Sequence, residues 1–242
     1  MKIGILTLPL HINYGGYLQA FALKSILLEH GNEVYLIENK NLYGNLLKRG
    51  LRQIKDSFSL LLFYLGKKNK EAEFILKEKK ISIFKDNYMC PIVDISNSKT
   101  LNDLDIVIVG SDQVWRPWKG LCRNSLYFFL DFIKSTKTKK ISYAASFGID
   151  KWEYNPVETI QIKKLLQDFS IISVREDDGV SLLQDNLGLP SIRMCDPTLL
   201  LTKNDYLSTL RIHHPDNDRI SSYILDSNSS KDDMLKIVAS FF

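Results

Sequence analysis

Five short stretches of the 242-residue chain carry residues able to hold or polarise a ligand: Asn13–Gly16, Gly110–Trp115, Ala144–Gly148, Arg175–Asp178 and Asp196–Thr198. Each follows an apolar run that reads as a strand, and in open parallel sheets ligands gather beyond the carboxyl ends of strands. In "NYGGYLQAFALKSILLEHG" (13–31), Asn13, Gly15 and Gly16 stand where a first strand hands over to a first helix. Unpaired N–H groups and the helix dipole favour an anion there, and residues without Cβ let a ligand approach the main chain. A plain tight turn explains the same glycines. No Gly-Lys-Ser/Thr follows, and the spacing is not Gly-x-Gly-x-x-Gly, so neither phosphate-loop fingerprint applies.

"VGSDQVW" sets Gly110, Ser111 and Asp112 at a strand end, with Trp115 and Trp118 behind them. Carboxylate, small donors and an indole face suit a sugar; an Asp capping a helix and a Trp in the core fit equally. "SYAASFG" adds Ser146 in a small-residue loop. "SVREDDG" brings Arg175, whose fork of donors suits a phosphate or carboxylate, unless Glu176, Asp177 and Asp178 occupy it. In "CDPT", Asp196 reads as the cap of a turn. His11, His30, His213 and His214 show no metal spacing, and Cys90, Cys122 and Cys195 are too few and too scattered for a disulfide framework or metal cluster. No metal and no cofactor is expected, and the cysteine usage fits a reducing cytoplasm.

The elements that must position these residues alternate. "KIGILTL" is an apolar strand, residues 15–30 a helix with Leu18, Phe21, Ala22, Ser25 and Leu28 at helical spacing, and "EVYLIEN" (33–39) a strand. Such a unit implies parallel pairing. Residues 42–88 read as helical. "DIVIVG" (105–110), "KKISYAASFG" (139–148), "IISVRE" (171–176) and "SIRMCDPTLLL" read as further strands, and "YFFLDF" (127–132) as a short strand or turn-flanked run. Helices fall at 156–168, after Arg175 as far as Gly188, and near 203–210. "HHPDND" is a polar linker. "RISSYILD" and "SSKDDMLKIVASFF" then form one more strand and helix. The expectation is a Rossmann-like domain over 1–213 and, over 214–242, the first βα unit of an incomplete second domain.

The hydrophobic content of 45% and charged content of 25% are ordinary for a globular protein, and a net charge of +4 is too mild to argue for nucleic acid. No apolar stretch approaches the length of a membrane span, and the N-terminus has no cleavage signal. Residues 40–90 hold 12 Lys/Arg against 5 Asp/Glu among apolar residues. Peripheral contact with an anionic membrane through residues 40–85 is one expectation, and a helix with a solvated basic face the other.

Taken in order, "GILTLPLHINYGGYLQAFAL", "DIVIVGSDQVW", "YFFLDF", "KKISYAASFG", "ISVREDDGVSLL" and "DPTLLL" resemble the polysaccharide pyruvyl transferase family, from Met1 to about Leu201. The resemblance implies one half of a GT-B-like enzyme with two Rossmann-like domains. It implies transfer of the pyruvyl group of phosphoenolpyruvate to a sugar hydroxyl of a glycan or lipid-linked acceptor, for capsule, exopolysaccharide or cell-wall polymers. The expected setting is cytoplasmic, at the inner membrane face. Arg175 matches the Arg of the family's Ser-Val-Arg segment and is expected to bind phosphoenolpyruvate. Asp112 is the catalytic candidate, orienting the acceptor hydroxyl. Asn13, Gly15, Gly16, Ser111, Trp115 and Ser146 are the further substrate-binding candidates. A sugar-nucleotide glycosyltransferase and a truncated, inactive glycan-binding remnant are the competing readings.

Overall fold

The structure is a computed structural model that describes residues 1–10, 13–39, 70–89, 91–117, 126–211 and 229–239. The chain divides into two units, Met1–Leu201 and Thr202–Phe242.

The first unit is built on an eight-stranded sheet, parallel in every pairing. Strand β1 (Lys2–Leu6) is central and buried; helix α1 (Tyr14–Glu29) follows it and leads to β2 (Glu33–Glu38). Helix α2 (Lys70–Tyr88) precedes the short β3 (Ile92–Asp94), and α3 (Ser98–Asn102) precedes β4 (Ile106–Asp112). Beyond β5 (Lys139–Ala145) come α4 (Pro156–Leu166), β6 (Phe169–Ile171), β7 (Ser173–Val174), α5 (Asp177–Leu187) and β8 (Ile192–Arg193). The strand order is β3-β2-β1-β4-β5-β7-β8, with β6 also paired to β5. The expected parallel, Rossmann-like sheet flanked by helices is therefore the fold. Its order reverses between β1 and β4, and that reversal fixes where a ligand crevice opens.

Helix α1 is apolar almost all round because it is covered twice. Tyr17 and Phe21 meet Phe84 of α2 edge-on at 5.9 and 5.7 Å, and Lys24 Nζ donates to the Tyr88 carbonyl at 2.7 Å. Lys85 of α2 is ion-paired with Glu38 at the end of β2. Of the positions read at helical spacing, Phe21 and Ala22 are buried but Leu18 and Leu28 are exposed, and Tyr17, Ala20 and Leu23 are buried beside them. With so few polar residues in α1, spacing alone does not identify the covered face.

"YFFLDF" is not a strand. Tyr127–Phe129 forms a 3-10 turn that drives its rings into the core. The run "IISVRE" divides into β6 and β7, because β6 and β7 follow different parts of β5. Helix α5 ends at Gly188, as read from the sequence. The strand β3 and helix α3 carry too few residues for a periodic signal. The part of the basic stretch before Lys70, Cys90, Trp118, Cys122, His11, His213, His214 and the strand read at "RISSYILD" lie outside the described residues. In the second unit, helix α6 (Lys203–Thr209) starts at a capping box, with Thr202 N donating to Asp205 Oδ2 at 2.7 Å, and α7 spans Ser229–Ala239.

Two buried serines clasp β5 to β7. Ser173 Oγ donates to the Ser142 carbonyl at 2.7 Å and accepts from Ala144 N at 3.0 Å; Ser142 Oγ donates to the Ser173 carbonyl at 3.0 Å and accepts from Ser173 N at 2.8 Å. Side chains here do what backbone ladders do elsewhere. Removing one hydroxyl leaves buried backbone groups unsatisfied, at about 1–3 kcal/mol. Ser173→Ala is therefore expected to lose that much stability in urea unfolding with an unchanged denaturant slope; an unchanged midpoint would show that the clasp contributes nothing.

Candidate functional site

The strand reversal lets the chain leaving β1 diverge from the chain leaving β4, and one buried side chain holds the two together. Gln19, on the inner face of α1, donates from Nε2 to Thr7 Oγ1 at 2.8 Å and to the Gly16 carbonyl at 2.9 Å, and its Oε1 accepts from Ser111 N at 3.0 Å. Thr7 Oγ1 in turn donates to the Ser111 carbonyl at 3.2 Å. Asn13 begins α1 as its N-cap, its Oδ1 accepting from Gly16 N at 3.2 Å.

At the end of β4 the chain bends sharply. Gly110 has φ +124°, and a Cβ there would lie 2.2 Å from the Tyr143 carbonyl oxygen of β5, so only glycine fits. The Gly110–Ser111 peptide is cis, and Asp112 follows with φ +74°. Ser111 Oγ accepts from Asp112 N at 2.6 Å and donates to Asp196 Oδ2 at 3.0 Å. Asp112 Oδ1 accepts from Gln113 N at 2.8 Å, and the Asp112 carbonyl accepts from Ser146 N at 3.0 Å.

Arg175 leaves the end of β7, next to β5 in the sheet. Its Nε donates to Glu176 Oε1 at 2.7 Å and its Nη1 to Asp196 Oδ2 at 3.2 Å. A guanidinium has five N–H groups; two are used here, and the others have no partner among the described residues. Burial works against the guanidinium's charge, but Glu176 and Asp196 outweigh it and raise its pKa further. Asp196, just before the 3-10 turn Pro197–Leu199, is saturated: its Oδ1 accepts from Thr198 N at 3.0 Å and from Thr198 Oγ1 at 2.8 Å. Beside it the Tyr143 hydroxyl is pushed up to about 12, by burial first and then by Cys195, so it stays protonated near neutrality.

Of the residues singled out in the sequence, Ser111 and Arg175 are joined through Asp196, Asp112 is tied to Ser111 only by its backbone N–H while its carboxylate turns to Gln113 N, and Asn13 and Gly16 are joined to Ser111 through Gln19. Trp115 is not a wall of the crevice. It is fully buried, stacked on Phe129 at 5.5 Å, with Nε1 donating to the Phe128 carbonyl at 3.1 Å. Ser146 is also fully buried, its Oγ accepting from Gly148 N at 2.9 Å, so it shapes the loop from inside. Gln19 and Thr7 are the site residues that sequence reasoning missed, and for Asp196 it missed the partners. A glutamine inside an otherwise apolar helix was the available signal for the first. Asp196 does cap its turn, as read, and also collects Ser111 and Arg175. Among the described residues, no three His, Cys, Asp or Glu side chains gather as a metal-ligand set.

Burial pushes the Asp196 carboxyl up; the hydrogen bonds from Thr198, Ser111 and Arg175 outweigh it and hold the group below its ordinary value. A carboxyl lowered on folding contributes stability above its unfolded pKa, about 3.9, and loses it as pH falls through the folded value. The stability difference between the wild type and Asp196→Asn is thus expected to be constant from neutrality to about pH 4 and to shrink below it. Urea titrations at stepped pH check this; a difference that keeps its size into the acid range would contradict the assignment.

Residues 13–240 match the family model described as polysaccharide pyruvyl transferase, whereas no curated protein and no solved structure matches the chain. With the match covering nearly the whole length and the sheet consistent with it, the chain belongs to the polysaccharide pyruvyl transferase family.

Proposed function

We propose that the chain takes phosphoenolpyruvate as donor and a sugar of a glycan or lipid-linked chain as acceptor, with Arg175 gripping the donor. In the balanced reaction two acceptor hydroxyls form C–O bonds to the enol carbon bearing the phosphate. One of their protons goes to the methylene carbon, which becomes a methyl group, the other leaves with the phosphate, and a pyruvate ketal results.

The observation that carries this reading is the half-used guanidinium of Arg175. Its remaining N–H groups suit a phosphate or carboxylate, and the donor has both. Of its two carboxylate partners, Asp196 is fixed by bonds from Ser111 and Thr198 as well, whereas Glu176 is held by one bond and its side chain is 40% exposed. Glu176 is the partner that an incoming anion displaces. Gly16 supports a ligand from outside: a Cβ there would make only ordinary contacts, the nearest at 3.6 Å, so internal packing does not require glycine, whereas a Cβ on Gly15 would crowd Asn13 Oδ1 at 3.3 Å. The first turn of α1, with Asn13, Gly15 and Gly16, offers backbone donors to the donor or acceptor, and Asp112 orients the attacking hydroxyl. Ser111, Ser146 and Trp115 support these groups from beneath.

A cytoplasmic setting at the inner membrane face belongs to the same proposal. Among the described residues no helix is long and apolar enough to cross a membrane. Within the basic stretch, the described part of α2 turns Phe84 and Tyr88 onto α1.

Calorimetric titration with phosphoenolpyruvate tests the donor assignment. Arg175→Ala is expected to weaken binding by at least about tenfold, in line with loss of a charge-assisted pair, and Arg175→Lys to restore part of it. Glu176→Ala is expected to tighten binding, because a competing carboxylate is gone. Equal affinities across these variants would remove Arg175 from the site. Saturable binding of a sugar nucleotide, with none of phosphoenolpyruvate, would replace the reading by a glycosyltransferase.

A further inference from the structure

At the other end of β5 the sheet carries a second polar cavity, of about 360 Å3. Its walls come from the chain before β5, with Asp131, Lys134 and Thr136, from Lys140 on β5, and from Asp168 at the entry to β6. Lys140 and Ala145 are five residues apart on one extended strand, about 17 Å at ~3.3 Å per residue. The cavity is therefore separate from the crevice at the strands' carboxyl ends.

Lys140 is the unusual feature. It is only 7% exposed, yet no described residue lies within hydrogen-bond distance of its ammonium. Its nearest carboxylate, Asp168, stands 3.9 Å away with a side chain 68% exposed. From the same wall Lys134 adds a positive charge and Asp131 a negative one. Burial of the Lys140 side chain disfavours its charge, its ammonium opens on the cavity, and a loose pair with an exposed carboxylate offsets little of the desolvation. An anion seated against Lys140 would make the charge-assisted bonds that the protein itself leaves unmade, and Asp168 is free to turn toward ligand hydroxyls. The volume lies at the small end of the range for ligand sites, roughly 300–1,000 Å3, which fits one monosaccharide-sized molecule.

We infer that this cavity binds a small hydroxylated anion, phosphate- or carboxylate-bearing, with its charged group between Lys140 and Lys134 and its hydroxyls toward Thr136 and Asp168. The site is independent of Arg175 and of the transfer proposed above.

Calorimetry on the full chain tests it with glucose 6-phosphate and glucuronate, and with glucose and inorganic phosphate as fragments. At least one of the two hydroxylated anions is expected to bind saturably at one site per chain, and which of them does so distinguishes phosphate from carboxylate. Affinity is expected to fall at least tenfold in Lys140→Met and in Lys134→Ala, and to stay unchanged in Arg175→Ala. If Lys140→Met does not fold, Lys134→Ala and Thr136→Val, both at exposed positions, decide the matter. Absence of saturable binding, indifference to the lysine substitutions, or loss of binding in Arg175→Ala would each overturn the inference. Inorganic phosphate binding as tightly as glucose 6-phosphate would overturn its hydroxyl component.

Discussion

A parallel sheet whose strand order reverses must let two loops part company, and the side-chain amide of Gln19 is what keeps them in register. It bonds to the loop after β1, to the first turn of α1 and to the backbone at the end of β4. The amide is buried, and every bond it makes is worth more there than at the surface, because a broken one could not be replaced by water. Everything that follows in the site hangs from the position of Ser111 that this amide sets. Ser111 Oγ fixes Asp196, and Asp196 fixes one arm of Arg175. A cation just beyond a two-residue strand is thereby aimed by a residue of the first helix, through a continuous path of hydrogen bonds.

The same path balances charge. A lone half-buried guanidinium would be well placed for an anion but expensive to desolvate. Asp196 offsets that cost while its own lone pairs are taken up by Thr198 and Ser111 as well as Arg175. Asp196 is thus held from several sides, whereas Glu176 is held by one bond, which is what the proposed exchange with an anion requires. Two acids beside one base would otherwise look like a poor anion site. The difference in how tightly each acid is held resolves that objection.

The parts of the fold legible in the sequence were those with local causes. Apolar runs gave β1, β2, β4 and β5, and Gly188 stopped α5 where a left-handed residue was needed. The parts that were not legible have causes far away in the chain. Gln19 and Ser111 are 92 residues apart, and Ser111 and Asp196 are 85 apart. No window of sequence contains such a pair, so Asp196 shows only its turn-capping bonds to Thr198 when read locally. Trp115 misled for a related reason. Its indole suits a sugar face or a core equally, and only the surrounding Phe129 and Phe147 decide for the core. Arg175 was legible because a strand followed by Arg and a helix start is a local pattern, whereas its choice of partner was not.

The serine clasp between β5 and β7 has a consequence for the site. β7 pairs with β5 through a single residue register and otherwise through the hydroxyls of Ser142 and Ser173. The segment beyond this seam, from Ser173 through β8 to the turn at Pro197, carries both Arg175 and Asp196 and is anchored in the core by Val174, Leu183 and Leu187. On the other side stands Ser111, and the Ser111–Asp196 bond spans the gap like a latch. The Arg175–Asp196 geometry is therefore set within one segment, and the Ser111–Asp196 bond sets that pair's distance from the end of β4.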